Sequence, residues 1–560
     1  MKHFKHIIQQ LKNQLPAIVL CLLPVALIVP NIVLDITENL YPPTIKAANI
    51  LLPLGIYILL LSVWKKNGWM SLFMIPIMVL CAFQIVLLYL YGQSIIAIDM
   101  FLNVATTNSR EVGELLKNLK EAILIVVVLY TPFIVAAIYL IIKKKYINTT
   151  AMKRGKIIGL ITSIAGVICL ALSAKPMPMR TIFPLNVSSN IVSALSRVEE
   201  SRNYIYTSSK FVFNAKTTRT DSLPEIYVLV IGETARAGNW QLCGYQRHTN
   251  PKLSSRDRLI FFPKTLSESN TTHKSVPLIL SHLSAREFGD SLKSVKCIFK
   301  AFEESGFKTA WFSNQQRNHS YIDEFGNQAD TCLFISDDGC EHFDEELIPL
   351  LTEFCSQHDK KKKFVVLHSY GSHFNYDERC PDKYHVYEPC QNTEADKANR
   401  QSLINAYDNT VLYTDYFLDK VASVIDSLHC PGAMLYLADH GEDIFDDNRE
   451  RFLHASPTAT FWQLHVPMFI YANSEYSINF KEKLGYAEDN SHKIVSSSST
   501  AFNTILDIAG IDTPFLNKSQ SLVSPSYSYK DFCFLNDYNE AVDASQAGMN
   551  KTDLSLMKNW

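Results

Sequence analysis

Five apolar blocks govern what the first third of this chain can become. They cover residues 15–34, 48–64, 69–91, 122–142 and 156–174. Each is close to the ~20 residues that cross a bilayer. In hydrocarbon, backbone amides must be satisfied within their own segment, so the blocks predict five membrane helices. Pro24, Pro30 and Pro53 fall inside them and are tolerable there. The first block is too long, and too closely followed by others, to be a cleaved signal peptide.

Basic residues orient the spans. Lys2, Lys5 and Lys12 precede the first block, Lys65 and Lys66 follow the second, and Lys143, Lys144, Lys145, Lys153, Arg154 and Lys156 fill the loop before the fifth. The N-terminus is therefore expected in the cytoplasm, and an odd number of spans carries everything after residue 174 across the membrane. Histidine usage divides the chain at the same place: of 16 histidines, only His3 and His6 precede His248. Four regions follow: 1–174, the transmembrane domain; 175–220, a linker with an interfacial or bridging helix; 221–525, an exported α/β domain; and 526–560, a polar tail with loose attachment. The net charge of -2 gives no pull toward nucleic acid. Cys332 with Cys340, and Cys380 with Cys390, each enclose a short polar loop on the exported side, and two disulfide clips are expected there.

The exported region alternates apolar strands with amphipathic helices, the pattern of a mainly parallel sheet. Ligands of such sheets sit beyond the carboxyl ends of the strands. "EIYVLVIGET" delivers Glu233 to that edge, "FKTAWFSNQQ" Asn314 and Gln315, "KFVVLHSYGSH" His368 and His373, and "AMLYLADHGED" Asp439 and His440. Helix capping explains one such ending; four together favour a metal centre. Glu233, Asp439 and His440 form a carboxylate–imidazole set that suits zinc, with a position open for a reacting group. "SNTTHKSVP" offers Thr271, Thr272 and Ser275 at the start of a helix. These hydroxyls suit a nucleophile, an anion cradle or simple caps, and residue physics leaves the three readings open.

The stretches "GETARAGNWQLCGYQRHTNPKL", "NTTHKSVP", "HSYGSHFNY", "INAYDNTVLYTD" and "ADHGED" resemble, in order, the membrane-anchored phosphoethanolamine transferases. That family modifies lipid A or other envelope glycans and includes polymyxin-resistance enzymes. The resemblance implies an α/β alkaline-phosphatase/sulfatase-like domain behind five spans, with the N-terminus cytoplasmic and the catalytic domain periplasmic at the bacterial inner membrane. It implies Thr272 as nucleophile, held with Glu233, Asp439 and His440 around one zinc ion, or two. His373 and His454 match the histidines that handle the phosphate. Asn314, Gln315 and His368 stand as further substrate contacts. "NVATTNSRE" resembles the family's membrane-side motif and puts Asn103, Thr107 and Glu111 on one helical face as substrate contacts. Glu268 and Leu278 occupy positions where many relatives carry cysteines, and His273 after the nucleophile is unusual.

The expected reaction moves phosphoethanolamine from phosphatidylethanolamine to lipid A or another envelope glycan through a phosphoethanolamine-threonine intermediate, with diacylglycerol released. Its partners are membrane lipids, not nucleic acid. A phosphoglycerol transferase or phosphodiesterase on the same fold is the alternative. A non-catalytic membrane sensor is disfavoured by the presence of Thr272, Glu233, Asp439 and His440 together.

Overall fold

The computed structural model describes residues 2–37, 41–92, 94–106, 113, 116–173, 177–219, 223–357, 362–529, 531–558 and 560, with side chains excepted at 2–11, 103–106 and 290. The chain forms two compact units: residues 1–101 with 119–194, and residues 102–118 with 195–560. The boundary differs from the expected one. The division at residues 194 and 195 falls within the helix Leu185–Arg202, and the segment 102–118 groups with the second unit.

Among the described residues, four helices are long and apolar enough to cross a membrane: Lys12–Thr37, Pro43–Ser62, Lys120–Ile142 and Thr149–Ala171, all in the first unit. The expected third span is broken, with Asn67–Phe73 and Ile75–Tyr91 meeting at 46°, so five spans are counted only if the pair is one. Pro76, two residues past the break, cannot donate the backbone hydrogen bond that would continue the first segment. Pro43–Ser62 and Thr149–Ala171 approach closely through glycines: a Cβ on Gly166 would lie 2.6 Å from the Leu52 nitrogen, and one on Gly159 2.9 Å from the Gly55 carbonyl. Such small-residue seams let helices pack by dispersion where the hydrophobic effect offers little. A buried amide pair ties further segments together. Asn31 Nδ2 donates to the Phe183 carbonyl at 2.7 Å and to Asn49 Oδ1 at 3.1 Å, and Asn49 Nδ2 donates to Asp35 at 2.9 Å.

The second unit is built on a seven-stranded sheet. In chain order its strands are β1 (Glu225–Gly232), β2 (Leu259–Phe261), β3 (Lys308–Ser313), β4 (Thr331–Phe334), β5 (Lys362–His368), β6 (Gly432–Ala438) and β7 (Met468–Ala472). The spatial order is β2-β7-β6-β1-β5-β3-β4. The run from β6 to β4 is parallel, while β7 runs antiparallel to both of its neighbours, β6 and β2. Every residue of β1 and β6 is buried, as a strand with cover on both faces requires. Tyr227, Leu229 and Ile231, alternate residues of β1, share one core with Val276 and Leu278 of the helix Thr272–Leu280 and with Phe502 and Ile505 of Ser497–Ile508.

The C-terminal segment is not the loose tail its polar composition suggests. Phe532, Phe534, Ala547 and Met549 are buried with Leu266, Ala459, Phe461 and Leu464, and Trp560 packs against Phe461. Asp553, fully buried, accepts from Arg449 at 2.6 and 2.8 Å and from the Phe461 amide at 3.1 Å. Isolated aromatics without period gave no pattern to read. Phe534→Ala is expected to destabilise the second unit by about 3–5 kcal/mol, read as a lowered denaturation midpoint of the detergent-solubilised protein.

Candidate metal centre and nucleophile

β1 and β6 lie side by side and in register, with Gly232 opposite Ala438. The residues that follow, Glu233 and Asp439, are therefore neighbours, and the Asp439 amide donates to the Gly232 carbonyl at 2.9 Å. Thr234 turns the chain at once, with φ of +56°. Its amide donates to Asp439 Oδ1 at 3.1 Å, its hydroxyl to Glu233 Oε1 at 2.6 Å, and its carbonyl accepts from Tyr407 at 2.7 Å. A non-glycine residue in this region persists only where surrounding contacts over-determine it, and functional sites collect such residues.

Thr272 stands at the first turn of its helix. Its Oγ1 lies 3.1 Å from Glu233 Oε2 and 3.1 Å from His440 Nε2. Thr271 pairs instead with Ser269 at 3.1 Å. His440 Nε2 also lies 3.5 Å from Glu233 Oε1 and 3.3 Å from Asp439 Oδ2. Its Nδ1 donates to the Gly441 carbonyl at 3.0 Å, which leaves Nε2 with the lone pair.

The electrostatics of this cluster are those of a cation site. Burial, and then the Asp439 carboxylate, raise the Glu233 pKa; burial pushes Asp439 up to about 7. Burial lowers His440 and His454, keeping both imidazoles neutral. Among the described residues, Asp439 Oδ2 has no hydrogen-bond partner. Two buried carboxylates and two neutral imidazoles converge without a counter-charge, an arrangement a divalent cation relieves. One ligand atom each from Glu233, His440 and His454 lies within 4.8 Å of the others, so these residues fit a metal. His454 thus joins the set expected from Glu233, Asp439 and His440. Its ring centroid is 4.3 Å from that of His440 and 5.9 Å from that of His373.

The remaining expected contacts divide. Gln315 reaches the cluster, with Nε2 donating to Glu233 Oε2 at 3.0 Å. Asn314 does not: its amide donates to Asp344 at 2.8 Å and to the His342 carbonyl at 3.1 Å, and its oxygen accepts from Ser336 at 3.1 Å. It braces the loop instead of facing a ligand. His368 is also corrected. It is a core histidine at the end of β5, fully buried beside Trp311 and Ser313, and burial lowers its pKa to about 3. Thr107, Glu111 and the Asn103 side chain lie outside the described residues. Neither expected disulfide is formed, and all twelve cysteines are free thiols. The Cys332 thiol donates to Asn327 at 3.7 Å and accepts from Arg317 at 3.8 Å, rather than meeting Cys340. Cys380 and Cys390 are both buried thiols; burial and the neighbouring Cys390 push Cys380 up to about 12.

Sequence reasoning assigned no role to Glu442 or Asp344. Glu442 is fully buried, and its carboxylate lies 3.5 Å from His454 Nδ1. The second acidic residue of "ADHGED" was its signal. Asp344 accepts from Asn314, from the Tyr370 amide at 2.8 Å and from the Gly371 amide at 3.0 Å, clamping the loop that carries His373. Nothing in "HFDEE" marked it. The matched "INAYDNTVLYTD" proves to be a strap: on the helix Arg400–Ser427, Asp408 accepts from Asn239, Tyr245 and Arg247, and Asp415 from the amides of Lys252 and Leu253.

Two outcomes follow from this geometry. Gly371 has φ of +54°, and a Cβ there would lie 2.6 Å from the Glu233 carbonyl. Gly371→Ala should destabilise by roughly 1–3 kcal/mol, measured as a fall in melting temperature. Protein stripped with a chelator should regain melting temperature on addition of zinc, and His440→Ala should abolish that gain. An undiminished gain in the variant would exclude His440 as a ligand.

Comparison with known proteins fits this geometry. The chain is 30% identical over 308 residues to the phosphoethanolamine transferase EptA of Salmonella typhimurium, a match covering 53% of this chain and 55% of that protein. The chain thus spans about half the length of the curated relatives it matches. Among solved structures, the integral membrane lipooligosaccharide phosphoethanolamine transferase A from Neisseria meningitidis superposes with a TM-score of 0.71 at 21% identity, covering 90% of this chain and 97% of that one. The C-terminal periplasmic domain of EcEptC from Escherichia coli, in complex with Zn, gives 0.53 at 21% identity over 60% of this chain and 96% of that one. A helical membrane region followed by an alkaline-phosphatase/sulfatase-like domain is therefore the fold. The sulfatase family model matches residues 225–511, just over half of the chain and the stretch that holds β1, β6, Thr272 and the histidines, and by that match the chain belongs to the sulfatase family.

Proposed function

We propose that this protein transfers phosphoethanolamine from phosphatidylethanolamine to lipid A or another envelope glycan, with its catalytic domain on the periplasmic side of the bacterial inner membrane. The observation that carries the reading is the placement of one hydroxyl, Thr272 Oγ1, 3.1 Å from both Glu233 and His440. The similarity to phosphoethanolamine transferases supports the substrate class. Helices of membrane-spanning length suit a reaction whose donor and acceptor are both lipids.

Glu233, Asp439 and His440, with His454 beside them, are the residues that would hold zinc, one ion or two. Zinc, when bound, supplies positive charge that stabilises developing oxyanions. Thr272 Oγ1 gives its proton to Glu233 Oε2, 3.1 Å away, and attacks the phosphorus of the donor. Its P–O bond forms as the bond to the diacylglycerol oxygen breaks. His373 or His454 delivers the proton that oxygen takes. In the second half an acceptor oxygen, a lipid A phosphate or a sugar hydroxyl, attacks the same phosphorus, and Thr272 leaves. Gln315 keeps Glu233 oriented by donating to its Oε2 at 3.0 Å.

Mass spectrometry of envelope lipids with and without the gene tests the reading. Phosphoethanolamine-modified lipid A or glycan should appear with the gene and be lost with Thr272→Ala, by at least ~10³-fold in rate. Thr271→Ala should stay within about tenfold of the parent. Release of free phosphoethanolamine without lipid modification would instead identify a phosphodiesterase.

A further inference from the structure

Both neighbours of His454 hold left-handed backbone: φ is +67° at Leu453 and +62° at Ala455. Neither is a glycine, asparagine or aspartate, the residues that enter this region readily. Contacts from elsewhere must impose the conformation. They come from two side chains and one carbonyl. Gln463 Nε2 donates to the Leu453 carbonyl at 3.2 Å. The Ala455 amide donates to the Asn270 carbonyl at 3.1 Å, and Asn270 Nδ2 donates to the Ser456 carbonyl at 2.8 Å.

The two amides are also tied to each other and to the metal-side loop. Asn270 Nδ2 donates to Gln463 Oε1 at 2.7 Å, and Gln463 Nε2 donates to Asp443 Oδ2 at 2.8 Å. The Gln463 carbonyl accepts from the Gly441 amide at 2.8 Å. All three side chains are buried: 4% exposed at Asn270, 0% at Gln463 and 2% at Asp443. The Gln463 amide has one workable orientation, since a flip would set its oxygen against Asp443 and the Leu453 carbonyl. Asn270 stands two residues before Thr272, and Asp443 three after His440. One amide pair thus links the nucleophile loop, the loop after β6 and the His454 loop.

We propose that Asn270 and Gln463 are positioning residues, which hold His454 beside His440 by imposing left-handed backbone on both of its neighbours. Neither touches reacting atoms; they act through His454. The inference rests on the transferase reading for its kinetic consequence, but not for its structural one.

A double-mutant cycle tests it in the full-length, zinc-loaded protein. Gln463→Met should lower kcat by about 10–100-fold, with KM unchanged. In a His454→Ala background the same substitution should cost nothing further, because its target is already gone. Equal losses in both backgrounds would mean a general structural role and overturn the proposal. Gln463→Glu, which keeps the volume and can donate one hydrogen bond when protonated, serves where the methionine variant does not fold. A crystal structure of the metal-free variant gives a readout independent of turnover. It should show φ at 453 or 455 returned to negative values and the His454 ring withdrawn from His440. Retention of both positive φ values and of the 4.3 Å ring separation would overturn the proposal. A parent protein without transferase activity would sink the functional reading, while the crystal structure would still decide this one.

Discussion

The pairing of β1 with β6 is the constraint on which the site depends. Side chains alternate along a strand, so a slip of one residue would exchange every inward and outward group at the strand ends. In the register adopted, Gly232 faces Ala438, and the next residue of each strand is an acid. Two carboxylates are thereby forced together in a fully buried position. The surrounding sheet over-determines this pairing: β1 is flanked by β5 and β6, and each of its residues is buried. The unfavourable meeting of charges is held in place by apolar burial along the whole strand, and that same meeting makes the end of the strand receptive to a cation. His440 and Thr272 complete what the register begins.

Much of this was legible in the residues. Long apolar blocks and short apolar runs ending in acids each have one ready physical explanation, so the membrane helices and the strand ends could be read directly. Glu233, Asp439, His440 and Thr272 lie close together because they sit within a residue or two of an element end, where the chain has little freedom. What failed was anything dependent on side-chain direction after a turn. His368 and Asn314 follow strands just as Glu233 does, yet the first points into the core and the second into its own loop. The C-terminal segment was misread because its apolar residues are too widely spaced to show a period. Asp344, Asn270 and Gln463 were invisible for another reason. They act on backbone carbonyls and amides far away in sequence, and backbone groups leave no signature in composition.

The membrane unit shows the same division. Its helices were readable from hydropathy, but the 46° break between Asn67–Phe73 and Ile75–Tyr91 was not. Neither were the hydrogen bonds that join Asn31, Asn49 and Asp35, three polar side chains scattered through apolar segments. Polar groups of this kind are costly in hydrocarbon unless paired, and here each of the named donors has an oxygen to meet.

The packing of the C-terminal segment bears on how the protein is made. Asp553 holds the Phe461 amide at the start of the short helix that runs into Gln463, and Trp560 lies against Phe461 and His465. Synthesis is directional, and domains fold as their segments emerge. Thr272 and the strand ends are synthesised long before residues 553–560 are. The loop that carries His454 is therefore braced last. During synthesis the nascent domain therefore holds Thr272 and the strand ends without the finished packing around Phe461 and Gln463, and the order in which the chain is made decides when that arrangement is complete.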